Sequence, residues 1–150
     1  MKCLVVDEST TMRRILSNAA RDAGCDEIVE AADGAEALER WDAGTKIVMT
    51  GWLTPEMSGP ELVRRLRAKT EAGGVRVLMV TSRDRAQQVE EAKAAGVDAY
   101  LVKPAAAVDL VRKLRELGAG SDRSSDDRAR GNTPAGSTEQ ANADSLDRAA

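Results

Sequence analysis

Short apolar runs alternate with segments of helical periodicity through the first 117 residues of the chain. Five of these runs predict strands, at residues 3–6, 28–31, 47–50, 77–80 and 99–102. The runs are apolar almost throughout and do not alternate with polar residues, which is typical of strands buried on both faces of a parallel sheet. Five strands alternating with five helices predict an α/β fold built on a doubly wound, five-stranded parallel sheet.

Capping residues mark where the helices between the strands begin. Ser9 stands at an expected N-cap. Asp33 is followed three residues later by Glu36, and Ser58 is followed three residues later by Glu61, as in a capping box. The last two helices are predicted at about residues 84–95 and 111–117. Every strand is thus followed by a segment that can form a helix, which completes the alternating pattern.

The composition changes after residue 117. Residues 118–150 are rich in Ser, Asp, Arg, Ala and Gly, and Leu146 is their only large apolar residue. Such a segment buries too little apolar surface to offset the entropy lost on ordering. We therefore predict a folded domain at residues 1–117 and a disordered C-terminal tail at residues 118–150.

Overall composition fits a globular protein and excludes several classes of function. Hydrophobic residues make up 42% of the chain and charged residues 31%, and the formal net charge of -3 gives no general basis for nucleic-acid binding. The chain has no His, the commonest zinc ligand and the usual general base. Cys3 and Cys25 fit no metal-binding spacing and are interpreted as buried or incidental thiols. No signal peptide or membrane-spanning run is present, so we expect no membrane contact and a cytoplasmic location.

Candidate chemistry lies just beyond the predicted strands. Working residues of an open parallel sheet gather at the carboxyl ends of the strands. Four strands are followed there by polar pairs or a small residue: Asp7-Glu8, Thr50-Gly51, Thr81-Ser82 and Lys103-Pro104. Carboxylates suit Mg²⁺, and a hydroxyl and an ammonium group suit phosphoryl oxygens. This edge of the sheet is therefore the expected site for a divalent cation and a phosphoryl group.

The order of these motifs resembles the CheY-like receiver domains of two-component response regulators. The matching stretches are residues 4–8, 9–15, 52–59, 77–82 and 99–104, and together they span about residues 2–117. The resemblance implies a flavodoxin/CheY-like fold with strand order 2-1-3-4-5. It also implies a signalling module, not an enzyme, with protein partners such as a sensor kinase or a downstream effector, and we expect a monomer.

The resemblance assigns a role to most of the polar residues at the site. Asp7 and Glu8 match the acidic pair that holds Mg²⁺, with the backbone carbonyl of Leu53 as a further ligand. Thr81 matches the hydroxyl that follows the phosphoryl group on activation, and Lys103 matches the lysine that bridges phosphate and acids. Tyr100 matches the aromatic switch that turns inward when the threonine moves.

The phospho-acceptor position of the family falls on Gly51. Glycine offers no nucleophile, no metal-binding carboxylate and no negative charge, so we predict a degenerate receiver that is not phosphorylated there and binds Mg²⁺ weakly. Three origins of Gly51 remain open: a natural loss, an engineered removal of the acceptor from an active receiver, or a sequence error. An alternative function is a phospho-accepting regulator that uses Thr50, Thr54 or Ser58 instead.

Other side chains receive simpler interpretations. Trp52 is predicted to cover the rim of the site or to meet a partner. Five helical arginines are predicted to form solvated faces: Arg13, Arg14, Arg64, Arg65 and Arg67. The resemblance implies a partner surface around the fourth helix, fifth strand and fifth helix, with Arg85, Gln88, Tyr100, Val102 and Lys113. A phosphate-cradling flavin site is disfavoured because Asp7-Glu8 would repel a phosphate.

Overall fold

The computed structural model describes residues 1–69 and 74–119. The seven strands are β1 (Lys2–Val6), β2 (Glu27–Ala31), β3 (Thr45–Thr50), β4 (Leu53–Thr54), β5 (Met57–Ser58), β6 (Arg76–Thr81) and β7 (Ala99–Val102). The five helices are α1 (Thr10–Asp22), α2 (Gly34–Arg40), α3 (Gly59–Arg67), α4 (Ala86–Ala95) and α5 (Ala107–Ala119). Within the described ranges, no helix is long and apolar enough to cross a membrane.

Five of the strands form one parallel sheet in the order β2-β1-β3-β6-β7. Counted among themselves, these strands follow the predicted order 2-1-3-4-5, and the predicted fold class is confirmed. Val6 lies beside Thr50, Thr50 beside Met79, and Thr81 beside Val102. The strands therefore end close to one another, and the residues that follow them share one edge of the sheet.

Two apolar layers cover the sheet, one on each face. Alternate residues of β1 supply the two layers: Leu4 and Val6 pack into one, while Cys3 and Val5 pack into the other. Because side chains of a strand point alternately to opposite faces, a strand covered on both sides must be apolar at every position. This explains the continuous apolar runs of the sequence.

The two predicted buried thiols are confirmed, since Cys3 and Cys25 are both buried and free. The pKa of Cys3 is raised mainly by a hydrogen bond between the two thiols and, to a smaller extent, by burial. The same hydrogen bond lowers the pKa of Cys25, and the nearby terminal ammonium group lowers it further. The pair lies at the amino ends of the strands, so it takes no part in the chemistry at the carboxyl ends.

A short hairpin between β3 and α3 was not predicted. Strands β4 and β5 have two residues each, and Pro55-Glu56 forms the turn between them. Glu56 has a φ of +70°, a left-handed conformation that costs about 1–2 kcal/mol for a residue with a β-carbon. A β-carbon at Gly34 would lie 2.7 Å from the sulfur of Met57, so the hairpin packs closely on the start of α2.

The predicted helix caps are present. The Oγ of Ser9 accepts from the backbone N of Met12 at 3.1 Å, and the Oγ of Ser58 accepts from the backbone N of Glu61 at 3.2 Å. The fifth helix runs through Ala119, two residues beyond the predicted boundary of the domain. The predicted disordered tail otherwise lies outside the described residues.

Candidate functional site

A cleft of about 540 Å³ opens at the carboxyl ends of the parallel strands. Five of the predicted site residues line it: Asp7, Glu8, Gly51, Thr81 and Lys103. Each comes from the end of a different strand or from the residue after it, except Glu8, which follows Asp7. The structure thus brings together residues that are up to 96 positions apart in the sequence, from 7 to 103.

Asp7 is held in a fixed position inside the cleft. Its side chain is largely buried, and its Oδ1 accepts a hydrogen bond of 2.9 Å from the backbone N of Ser9. Its Oδ2 lies 3.7 Å from the Nζ of Lys103, which makes an ion pair but a long one. Lys103 is positioned in turn by its backbone N, which donates to the carbonyl of Thr81 at 2.8 Å. Glu8 is exposed at the mouth of the cleft.

Gly51 lies beside the Asp7 carboxylate. A β-carbon added at Gly51 would lie 3.6 Å from Asp7 Oδ2 and 3.6 Å from the carbonyl of Val80, which is ordinary van der Waals distance. Gly51, which lines the cleft, therefore has room for a β-carbon. The backbone conformation at position 51 does not require glycine, because its φ is not in the left-handed region.

Gly59 fixes the path of the loop that carries Gly51. A β-carbon at Gly59 would lie 2.1 Å from the carbonyl oxygen of Gly51, so only glycine fits there. The backbone N of Gly59 also donates to the carbonyl of Trp52 at 2.5 Å. The hydroxyl of Thr50 donates to the carbonyl of Gly51 at 3.1 Å. These contacts hold the loop in place without any side chain at position 51.

The two predicted switch residues meet at the backbone of Arg83. The backbone N of Arg83 donates to the Oγ1 of Thr81 at 3.2 Å, and the hydroxyl of Tyr100 donates to the Arg83 carbonyl at 2.6 Å. Tyr100 is buried, and this burial raises the pKa of its hydroxyl to about 12. The ring of Tyr100 thus points inward.

Trp52 and Arg83 form a contact that sequence analysis missed. The indole of Trp52 is buried in the core, and the guanidinium carbon of Arg83 lies 5.8 Å from the centre of its ring. This distance lies within the limit of about 6 Å for a cation–π interaction. The hydrophobic pattern of the sequence does not single out Trp52 or Arg83. The one signal for the contact is that both residues follow neighbouring strands, β3 and β6.

The carboxylates at the site fit Mg²⁺ with a reduced set of ligands. Asp7 and Glu8 supply two carboxylates, which is the number that Mg²⁺ commonly takes from a protein. The backbone of Leu53 belongs to β4, in the loop that follows Gly51. Over residues 1–69 and 74–119, no group of three acidic or Cys side chains is arranged to hold a metal ion.

The residues predicted for partner binding separate into two places. Arg85 and Gln88 line the same cleft as Asp7. Val102 and Lys113 instead line a second groove of about 470 Å³ between β7 and α5. The structure therefore does not place the predicted surface in one depression.

Comparison with known proteins agrees with this geometry. Residues 3–115 match the family described as the response regulator receiver domain. The chemotaxis protein CheY1 of Helicobacter pylori is 41% identical over 116 residues, which cover 76% of this chain and 94% of the relative. A CheY homolog of Campylobacter jejuni is 42% identical over 127 residues, covering 81% of this chain and 95% of the relative.

The same relationship appears in a solved structure. The chemotaxis response regulator CheY4 of Vibrio cholerae aligns with a TM-score of 0.71 and 32% identity, covering 77% of this chain and 97% of that protein. Receiver domains are signalling modules that interact with kinases and effectors and typically bind Mg²⁺ at their phosphorylation site. The sequence matches, the shared fold and the cleft together show that this chain belongs to the CheY-like response regulator receiver domains.

Proposed function

We propose that this chain is a receiver-type signalling module that acts through protein partners and is not phosphorylated at the usual acceptor position. The observation that carries the proposal is the location of Gly51, whose β-carbon position would lie 3.6 Å from the Asp7 carboxylate. The place where the family carries its acceptor side chain thus holds only backbone. The surrounding residues Asp7, Glu8, Thr81 and Lys103 are retained.

The retained residues keep the chemical groups that a phosphoryl site needs. The hydroxyl of Thr81 and the ammonium of Lys103 are suited to phosphoryl oxygens. Asp7 and Glu8 would hold Mg²⁺, and that ion would supply positive charge to the phosphoryl oxygens. Because one carboxylate of the usual set is missing, we propose that Mg²⁺ binds more weakly than in an ordinary receiver.

The structure disfavours the alternative hydroxyl acceptors that can be assessed. Thr50 is fully buried, and its hydroxyl is engaged by the carbonyl of Gly51. Ser58 is engaged as the N-cap of α3 through the backbone N of Glu61. A hydroxyl acceptor would also form a stable phosphate ester, not the labile acyl phosphate on which receivers depend. For Thr54 the structure describes the backbone in β4 but not the side chain, so the third candidate acceptor stays a prediction.

Intact-mass measurement after incubation with a small phosphodonor and Mg²⁺ tests the proposal. The chain as it stands should keep its mass. Gly51→Asp is the matched variant, and it should gain about 80 Da, the mass of one phosphoryl group. A gain of that size in the unsubstituted chain would show that another residue accepts phosphate.

We further propose that the partners are proteins, namely a sensor kinase or a downstream effector, and that the module acts as a monomer without enzymatic activity of its own. Support comes from the CheY relatives, which are named as chemotaxis proteins. The net charge of -3 also gives no general attraction to nucleic acid.

A further inference from the structure

Arg83 contacts both switch residues through its backbone. Its N–H donates to the Oγ1 of Thr81 at 3.2 Å, and its carbonyl accepts from the hydroxyl of Tyr100 at 2.6 Å. Both side chains are buried, and the Tyr100 hydroxyl has found a partner as buried tyrosines usually do. The position of the Arg83 backbone therefore decides whether Thr81 and Tyr100 can both keep their hydrogen bonds.

The side chain of Arg83 connects this backbone to the loop that carries Gly51. Its guanidinium carbon lies 5.8 Å from the centre of the Trp52 ring, and Trp52 directly follows Gly51. Trp52 is itself buried in the core and its carbonyl accepts from Gly59, so it offers a rigid platform. A cation over an indole face contributes more when the pair is shielded from water, and Arg83 is half-buried.

We infer that Arg83 is a positioning residue, which holds Thr81 and Tyr100 in the inward arrangement without a phosphoryl group by resting its guanidinium on Trp52. The inference builds on the proposed function, in which Gly51 can carry no phosphate. A two-state equilibrium moves only through a contact that favours one state over the other. The Arg83–Trp52 contact lies within the chain, so it takes the place of an external ligand that could be regulated.

The chain contains a single tyrosine, so the ionisation of Tyr100 can be followed by tyrosinate absorbance in the near ultraviolet. Inward Tyr100 has a pKa of about 12 because of burial, whereas an exposed tyrosine has a pKa of about 10. At pH about 11, an inward ring is mostly neutral and an outward ring is mostly ionised. Far-ultraviolet circular dichroism at the same pH confirms that the variant being measured is folded.

Arg83→Ala should lower the pKa of Tyr100 from about 12 toward about 10. The direction separates positioning from simple electrostatics, because the positive charge of Arg83 lowers the pKa of Tyr100 and Asp84 raises it. If Arg83 acted only as a charge and the ring stayed inward, its removal would raise the pKa. A pKa that stays high or rises in Arg83→Ala would overturn the inference.

Three further variants complete the test. Arg83→Lys keeps a cation for the indole and should restore the high pKa, while Trp52→Leu removes the aromatic platform and should lower the pKa as Arg83→Ala does. Arg85→Ala is the matched control, since Arg85 lines the same cleft without a contact to Trp52 or Tyr100 among the described residues. A similar fall in Arg85→Ala, or no rescue by lysine, would assign the effect to general loosening and contradict the inference.

Failure of this inference is distinguishable from failure of the proposed function. The intact-mass experiment measures phosphorylation and does not depend on where Tyr100 lies. A chain that gains no mass but whose Tyr100 titrates near pH 10 would retain the proposed function and lose the role of Arg83. A chain that gains mass while Tyr100 keeps its pKa near 12 would lose the proposed function and retain that role.

Discussion

Two clusters of charged side chains occupy opposite edges of the same sheet, and they are built in opposite ways. The upper cluster, Asp7 and Lys103, lies at the carboxyl ends of the strands, with an ion-pair distance of 3.7 Å and Lys103 half-exposed in an open cleft. The lower cluster, Arg67, Arg76 and Asp98, lies at the amino ends, and its side chains are 9–20% exposed.

The lower cluster is bound to the backbone on several sides. Arg67 donates to the carbonyls of Val75 at 2.6 Å and Gly96 at 2.8 Å, and to the Asp98 carboxylate at 2.8 Å. That carboxylate also accepts from the backbone N of Val77 at 2.8 Å. Arg67 was predicted to be part of a solvated face, and this prediction was wrong, because its side chain reaches back from the end of α3 to the adjoining loops.

The difference indicates which cluster contributes more to the stability of the fold. Charges buried with hydrogen-bond partners become part of the structure, since removing one leaves the others uncompensated. The Asp7–Lys103 pair is long, and Lys103 is partly exposed to solvent in an open cleft, so this pair contributes less to folding. Of the two clusters, the pair at the carboxyl ends of the strands thus has the less complete set of electrostatic partners.

The comparison predicts its largest effect at the lower cluster. Asp98→Asn should reduce the free energy of unfolding by about 3 kcal/mol, because it leaves the charge of Arg67 without its carboxylate partner. Lys103→Met in the upper cluster should change it by less than about 1 kcal/mol. Denaturant unfolding of both variants measures the difference, with Asp109→Asn as a surface ion-pair control. Equal effects at the two edges would remove the distinction drawn between the clusters.

A pH-dependent effect of intermediate size is predicted beside the upper cluster. The pKa of Tyr100 is about 12 in the folded state and about 10 in the unfolded state. Because the folded-state pKa is raised, the stabilisation is complete below pH about 10 and is lost as pH rises toward about 12. Unfolding measured across that range should show a loss of about 1–2 kcal/mol that Tyr100→Phe lacks. A wild-type curve parallel to that of the variant would contradict a buried, neutral hydroxyl.

The smallest effect is predicted for restoring a carboxylate at the upper edge. Without metal, Gly51→Asp should lower the free energy of unfolding by about 1 kcal/mol, because a second carboxylate beside Asp7 repels it. Saturating Mg²⁺ should remove that loss by binding the folded state. Thermal unfolding of the variant and the original chain, each with and without Mg²⁺, gives the four values needed. An equal response of both proteins to Mg²⁺ would show that Gly51 does not weaken the metal site.

The fold could be predicted from the sequence because the main strands are apolar at most positions and most of them are followed by a capped helix. The β4–β5 hairpin was not, since two-residue strands leave no periodic pattern and the turn uses a left-handed Glu56. Placement at strand ends correctly brought Asp7 and Lys103 together. The roles assigned to Asp7 and Lys103 remain predictions that rest on the family resemblance.

Side-chain direction was the part that the sequence did not reveal. The inward ring of Tyr100 depends on the Arg83 carbonyl, and the platform beneath Arg83 depends on a loop fixed by Gly59. These are contacts between segments distant in the chain, selected by packing and not by local propensity. The helical position of Arg67 likewise gave no indication that its side chain bends toward the strand edge.

Gly51 and Gly59 differ in whether the structure can accept another residue in their place. At Gly59 the carbonyl oxygen of Gly51 blocks the β-carbon of any other amino acid, so no substitution is tolerated there without a shift of the backbone. At Gly51 an added side chain meets ordinary contact distances, and aspartate and glycine codons can differ by a single base. A change from glycine to aspartate at position 51 can thus require only one nucleotide substitution, in a loop whose path requires a glycine eight positions further along.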